Sequence, residues 1–181
     1  MLRKGTLMMR LETERLYLRE IAMEDLPAWL RVLGDRESMK HYSYAFDEAR
    51  VQNWIERNTE RYRVFGFGLW AVVRKDTGEL IGDCGVTMQN INGVIRPEIG
   101  YHIRRDCQRQ GYAKEAACAC RDWIFANTPF QVVYSYMTLA NEASWATAKA
   151  CGMELEEQYL ENGQEMVAYS ITRQVWERCG K

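Results

Sequence analysis

Gln108-Arg109-Gln110-Gly111-Tyr112-Ala113 puts a polar, glycine-containing turn directly ahead of an alanine-rich run that begins near Lys114 and reads as a helix. A helix start leaves backbone N–H groups unpaired and turns the positive end of the helix dipole toward whatever lies there, an arrangement that suits a pyrophosphate. Gly111 lets a ligand come close to the backbone. Alone, the hexapeptide is equally an ordinary exposed helix start, so its meaning depends on its surroundings.

Upstream, residues 69–73, the turn Lys75-Asp76-Thr77-Gly78 and residues 80–88 read as a hairpin. Asn92-Gly93 then turns the chain into a further antiparallel strand over 94–103. Downstream, 111–125 reads as a helix, 132–139 as a strand and 142–151 as a short helix closed by Gly152. Strands over 153–160 and 165–171 flank the Asn162-Gly163 turn, and Thr172 is placed to cap a last helical turn through Trp176. At the other end, 11–19 alternates and reads as one strand. Met23-Glu24-Asp25 precedes a helix with Pro27 in its first turn that ends near Gly34, and a second helix runs from 47 to 62 with Val51, Trp54, Ile55 and Tyr62 on one face. Phe65-Gly66-Phe67-Gly68 reads as a turn.

The 181-residue chain, 47% hydrophobic, has the length and apolar content of one domain that folds without disulfides or a structural metal. A formal net charge of −1 gives no electrostatic reason to expect nucleic acid or an anionic membrane as partner. No apolar run approaches the roughly eighteen residues that span a bilayer, and residues 1–10 lack the features of a signal peptide, so a cytoplasmic location is expected. Six cysteines (84, 107, 118, 120, 151 and 179) and the histidines His41 and His102 form no zinc-ligand spacing, and reduced thiols are expected. Cys118 and Cys120, two apart in a helical run, point in different directions.

Gln108, Gly111 and Ala113 match the Gln/Arg-x-x-Gly-x-Gly/Ala acyl-coenzyme A loop of the GNAT superfamily of N-acetyltransferases, which this chain resembles. Asn141, Ser144, Lys149 and Gly152 resemble the family's Asn-x-x-Ser…Lys-x-x-Gly-Phe segment, with Met153 in place of Phe. The opening Leu11-Glu12-Thr13-Glu14-Arg15-Leu16-Tyr17-Leu18-Arg19 and the strand Glu98-Ile99-Gly100-Tyr101 look most like the subgroup that includes ribosomal-protein N-terminal acetyltransferases. The resemblance spans 11–171. It implies an α+β GNAT fold, a mixed, mostly antiparallel central sheet with splayed central strands flanked by helices, and a single acetyltransferase domain over residues 1–181.

It also implies site residues. Tyr101, His102 and Ile103 would bond the pantetheine arm of acetyl-coenzyme A through the backbone, and a main-chain N–H there would serve the oxyanion. Gln108, Arg109, Gln110, Gly111, Tyr112 and Ala113 would hold the pyrophosphate, chiefly by main-chain N–H groups, with Arg109 adding charge. Asn141 would bond the cofactor or a buried water, and capping the helix equally explains an Asn there. Lys149 is carried over with the second motif. Ser144 is the candidate proton donor to the leaving thiolate; bonding back to a helix carbonyl is its alternative role.

Amide formation needs a neutral amine, yet an α-amine has a pKa of about 8 and a lysine amine about 10.4, so a base or water chain must take a proton. Glu98, after Pro97 on the implied central strand, is the first candidate; a solvent-facing strand carboxylate is the competing reading. Asp83 on the neighbouring strand is a weaker candidate for the same task or for binding the amine. Cys84 and Cys107 lack a base partner for a covalent route, and His102 reads as a packed or exposed strand residue. The aromatics Trp54, Tyr62, Phe65, Phe67 and Trp70 are either an acceptor pocket or core.

The reading is therefore an acetyl-coenzyme A dependent N-acetyltransferase working by direct transfer in a ternary complex on a protein N-terminal α-amine or a small-molecule amine. No metal is implied, and a monomer or homodimer is open. The alternatives are an enzyme dedicated to antibiotics or polyamines and a non-catalytic coenzyme A binding module. A dinucleotide oxidoreductase is disfavoured, since no G-x-G-x-x-G follows a first strand.

Overall fold

Two Asn-Gly turns set much of the sheet. Asn92 and Gly93 have φ of 50° and 81°, and Asn162 and Gly163 have 49° and 79°, the left-handed pair that a tight two-residue hairpin requires. The first joins β4 (Leu80–Ile91) to β5 (Val94–Ile103) in unbroken register from Ile91↔Val94 to Gly82↔Ile103. The second joins β7 (Glu154–Glu161) to β8 (Gln164–Thr172). The computed structural model describes residues 9–36, 39 and 45–178; His41 and Cys179 lie outside them.

The strand expected over 11–19 is two strands. β1 (Met9–Glu12) and β2 (Leu16–Arg19) form an antiparallel hairpin around Thr13-Glu14-Arg15. Thr13 N–H donates to the Leu16 carbonyl and Leu16 N–H to Thr13 Oγ1, each at 3.0 Å. The turn is clamped from far along the chain: Glu115 accepts from Thr13 Oγ1 (2.6 Å), Arg15 N–H (2.8 Å) and Arg15 Nε (2.6 Å). Glu115 belongs to α3 (Tyr112–Asn127), so local alternation carries no trace of the clamp.

With β3 (Leu69–Arg74) and β6 (Val132–Thr138), the eight strands form one mixed sheet in the order β1-β2-β3-β4-β5-β6-β8-β7. β1 to β5 are antiparallel neighbours, and so are β6, β8 and β7. Among the described residues the backbones of the two sets pair only where β5 runs parallel to β6, through the single register pair Glu98↔Tyr134. This is the splay that the fold class implies.

One face of the sheet is covered by α1 (Leu26–Leu33) and α2 (Glu48–Phe65), with Trp29, Val32, Leu33, Val51 and Ile55 packed on Leu69, Ala71 and Val73. Asp47 caps α2 by accepting from Arg50 N–H at 2.9 Å. The other face carries α3 and α4 (Glu142–Ala150), whose apolar sides meet Trp70, Val72, Cys84, Val86, Ile99 and Val133. After β8, α5 (Arg173–Arg178) returns to α3: Arg173 donates to the carbonyls of Phe125 (2.6 Å), Thr128 (2.6 Å) and Phe130 (3.1 Å), holding the end of that helix. The expected aromatic cluster divides between the faces. Trp54 of α2 packs against Trp29 of α1 with the rings tilted by 60°, whereas Trp70 meets Trp123 of α3. No helix among the described residues is long and apolar enough to cross a membrane.

Burial pushes the Glu115 carboxyl up, but the bonds from Thr13 and Arg15 outweigh it and hold the group below its ordinary value. A depressed carboxylate contributes stability above its unfolded pKa and loses it as pH falls through the folded one. Glu115→Ala should lower stability at pH 7 by about 2–3 kcal/mol, and Tm by roughly 5–10 °C, with a smaller difference from wild type in acid; thermal unfolding at pH 7 and pH 4 measures both.

Candidate active site

The β4–β5 register puts Asp83 opposite His102, Gly85 opposite Gly100 and Thr87 opposite Glu98. Because side chains alternate along a strand, these residues share the face covered by α1 and α2, while Cys84, Val86, Ile99 and Ile103 face α3. A polar stripe thus crosses an otherwise apolar sheet.

Glu98 is 8% exposed, which overturns the solvent-facing reading. It accepts from Thr87 Oγ1 at 3.2 Å, and burial pushes its carboxyl up to about 7; Asp83 adds to the rise, while the Thr87 bond and the charges of His102 and Arg61 oppose it. Its carboxylate lies over Gly100, where an added Cβ would come within 3.1 and 3.2 Å of the two oxygens. Glu98 is also the residue that pairs with Tyr134, so it stands where β5 and β6 begin to part.

Asp83 and His102, weighed separately in the sequence, are one unit. His102 Nδ1 is 3.0 Å from both oxygens of the fully buried Asp83. Burial lowers the histidine pKa, but the charge and bond of Asp83 outweigh it, and the ring is held above its ordinary value. The signal was present: counting back from the two-residue turn at Asn92-Gly93 pairs 87 with 98 and 83 with 102.

On the opposite face, Tyr101 Oη donates to the Ser144 carbonyl at 2.7 Å, and Ser144 Oγ donates to Tyr101 Oη at 3.2 Å. The Ser144 hydroxyl therefore reaches across to β5 rather than back to a carbonyl of its own helix. Burial raises the Tyr101 phenol above its ordinary value. Asn141 caps α4, its side chain accepting from Ser144 N–H at 3.3 Å. Lys149, in the last turn of α4, is not gathered with them: its ammonium lies 4.5 Å from the Trp145 ring and 5.8 Å from that of Tyr169.

In the loop over 108–113 the long side chains serve the loop itself. Gln108 Nε2 donates to the Ile103 carbonyl at 2.8 Å and Gln110 Nε2 to that of Asp106 at 3.0 Å. Tyr112 is buried in the core beneath the Arg15 guanidinium, 4.5 Å from its ring, and Ala113 is partly buried. Arg109 is exposed and, like Gly111, has positive φ, at 59° and 83°. Gly111 is the N-cap of α3 and offers no side-chain acceptor, so the first-turn N–H groups face outward uncapped. A Cβ at Gly111 would sit 3.3 Å from Arg15 Nη2. This cradle has the shape and polarity that a pyrophosphate needs. Next to it, Arg104, Arg105 and Asp106 join Leu30, Arg31, Gly34 and Asp35 around an open concavity of about 620 Å³. Among the described residues no group of three or more side chains is arranged to hold a metal ion.

The raised Glu98 carboxyl carries a stability cost. The folded state holds a proton that the unfolded chain has released between pH 4.5 and about 7, so this contribution is complete below that window and is lost as pH rises through it. Glu98→Gln should be more stable than wild type at pH 8 by roughly 2–3 kcal/mol, with the gap closing toward pH 4, as read by urea unfolding.

The model of the acetyltransferase (GNAT) domain matches residues 15–154. The uncharacterized protein YkkB of Bacillus subtilis is 33% identical over 145 residues, covering 80% of this chain and 84% of that one. An acetyltransferase of Agrobacterium tumefaciens superposes with a TM-score of 0.77 at 27% identity, covering 89% of this chain and 92% of the other. RimL, a ribosomal L7/L12 alpha-N-protein acetyltransferase, shares the fold with a TM-score of 0.76 at 15% identity over 93% and 96% of the two chains, and a structure of it in complex with coenzyme A is also known. With the sheet, the splay and the uncapped α3 start in place, this chain belongs to the GNAT acetyltransferase family.

Proposed function

We propose that the chain transfers an acetyl group from acetyl-coenzyme A to a primary amine by direct transfer in a ternary complex. The observation that carries this reading is Glu98: a buried carboxyl raised to about 7, at the fork of β5 and β6, on the sheet face opposite α3. A base with a pKa near the working pH is matched to taking a proton from an ammonium.

When bound, acetyl-coenzyme A supplies an acyl thioester. The first-turn N–H groups of α3 and the loop over 108–113 hold the pyrophosphate, with Arg109 adding charge. Past Glu98, β5 has no register pair with β6, which leaves the β6-facing backbone of Tyr101, His102 and Ile103 to the pantetheine arm and the oxyanion. Glu98, steadied by Thr87, takes the amine proton directly or through water. The Ser144 and Tyr101 hydroxyls, joined by a hydrogen bond, protonate the leaving sulfur from the other face; the raised phenol stays protonated at neutral pH. Asn141 keeps the α4 start in place for this. Base and acid thus stand on opposite sides of the fork, which argues against a non-catalytic binding module. The acceptor class is a primary amine, of a protein N-terminus or a small molecule; RimL acts by its printed name on a protein α-amine, and at 15% identity it lends only its fold.

Calorimetry with acetyl-coenzyme A, beside thiol release against N-terminal peptides, aminoglycosides and polyamines, tests the reading. Binding with amine-dependent release supports it, and binding without release from any amine counts against it. The kcat/KM for the accepted amine should climb as pH rises through about 7, because only the ionised Glu98 acts as base. Glu98→Gln should lose roughly 100-fold in kcat and flatten that limb, with acetyl-coenzyme A affinity unchanged; a variant of wild-type rate would refute the assignment. Gly111→Ala, strained at φ 83°, should weaken acetyl-coenzyme A binding about tenfold, equivalent to 1–2 kcal/mol of left-handed strain.

A further inference from the structure

Two sulfurs join α3 to the end of α4. Cys118 lies on α3 and Cys151 closes α4, and their Sγ atoms are 3.2 Å apart although 33 residues separate them. A disulfide bond of about 2.05 Å needs an approach of only about 1 Å from there. The two thiols differ in access: Cys118 is partly exposed, whereas Cys151 is buried, 3.8 Å from the Lys114 carbonyl. Arg121, one turn beyond Cys118 on α3, donates Nη1 to the Cys151 carbonyl at 2.6 Å and so fixes the end of α4 beside the pair.

We propose that Cys118 and Cys151 form an oxidation site, at which a hydroperoxide closes the two thiols into an intramolecular disulfide tying α3 to α4. The Cys118 thiolate attacks a peroxide oxygen, the O–O bond breaks, and an alcohol or water leaves, giving a sulfenic acid. The Cys151 sulfur then attacks Cys118 Sγ. The S–O bond breaks, water leaves with the Cys151 proton, and the S–S bond forms. Two thiols together give up two protons and two electrons, and the peroxide takes them up.

The surroundings suit these roles. The bond from Cys151 and the charges of Arg121 and Lys114 bring the Cys118 thiol down to about 7 against burial and Asp122, while Cys151 is driven up by the same bond and by burial. The exposed sulfur is the nucleophile and the buried one resolves it. Cys84 and Cys120, both fully buried, lack that access. The bond would enclose β6 and α4, the segment that carries Asn141 and Ser144.

The test uses the full chain treated with hydrogen peroxide in small molar excess. Thiol titration after unfolding should fall from six to four, the mass should drop by two hydrogens, and Tm should rise by roughly 5–10 °C for a loop of this length. Cys118→Ser and Cys151→Ser should each abolish the two-hydrogen loss and the rise in Tm, Cys118→Ser keeping its five thiols and Cys151→Ser stopping at the Cys118 sulfenic acid with one oxygen added, while Cys84→Ser, Cys120→Ser and Cys179→Ser keep all three changes; the Cys120 variant is needed because peptide mapping leaves it beside Cys118. Iodoacetamide labelling of Cys118 should be half-maximal near pH 7 and move to higher pH in Cys151→Ala. A link through any other cysteine, a disulfide between chains, oxygen addition to Cys118 without a link, or survival of all six thiols would overturn the proposal.

Discussion

The sheet is continuous through one parallel contact, Glu98 opposite Tyr134. On one side lie the antiparallel strands β1 to β5, and on the other β6, β8 and β7. A single register pair leaves most backbone donors and acceptors along the β5–β6 boundary without a strand partner, a condition that a buried sheet does not tolerate for long stretches. Helices hold the two sets of strands together across the parting. α3 packs across β4 and β5, α4 packs on β6 and β8, and the Tyr101–Ser144 contact bridges the gap between β5 and α4. The opening is thus held at a fixed width by side chains from both halves of the molecule.

That constraint explains why one carboxylate can be buried at all. Glu98 sits where the strands part, over a glycine that leaves it room, beside a threonine that donates to it and within reach of Arg61 and His102. Those groups moderate the cost of burial without cancelling it, so the proton affinity stays high. Asp83, deeper in the stripe, is bonded directly to His102, whose charge also reaches Glu98.

Much of this was legible in the sequence, for local reasons. Asn92-Gly93 and Asn162-Gly163 specify their turns by conformation, Asp47 and Asn141 mark helix starts by the N–H groups they accept from, and Thr172 does the same for α5, accepting from Val175 N–H at 3.2 Å. The loop over 108–113 was readable because it uses its backbone more than its side chains. What escaped depends on contacts distant in sequence. The turn at Thr13-Glu14-Arg15 is held by Glu115, the aromatics are sorted between faces by strand parity, and the closeness of Cys118 to Cys151 exists only once α4 folds back on α3. Burial of Glu98 likewise depends on neighbours from other elements, Thr87 and Arg61 among them, which no feature of residues 94–103 announces.

The Arg173 cluster bears on the order of assembly during synthesis. β1 to β5 pair with sequence neighbours as they emerge, but β6 waits for β8 to cover its second edge, and the carbonyls at the end of α3 wait for Arg173. A nascent chain that has already made the 108–113 loop therefore carries it on a helix whose far end is untied and beside a strand with an open edge. Only when residues 164–178 have emerged does that edge close, so the cradle gains its final rigidity well after its own residues have been made.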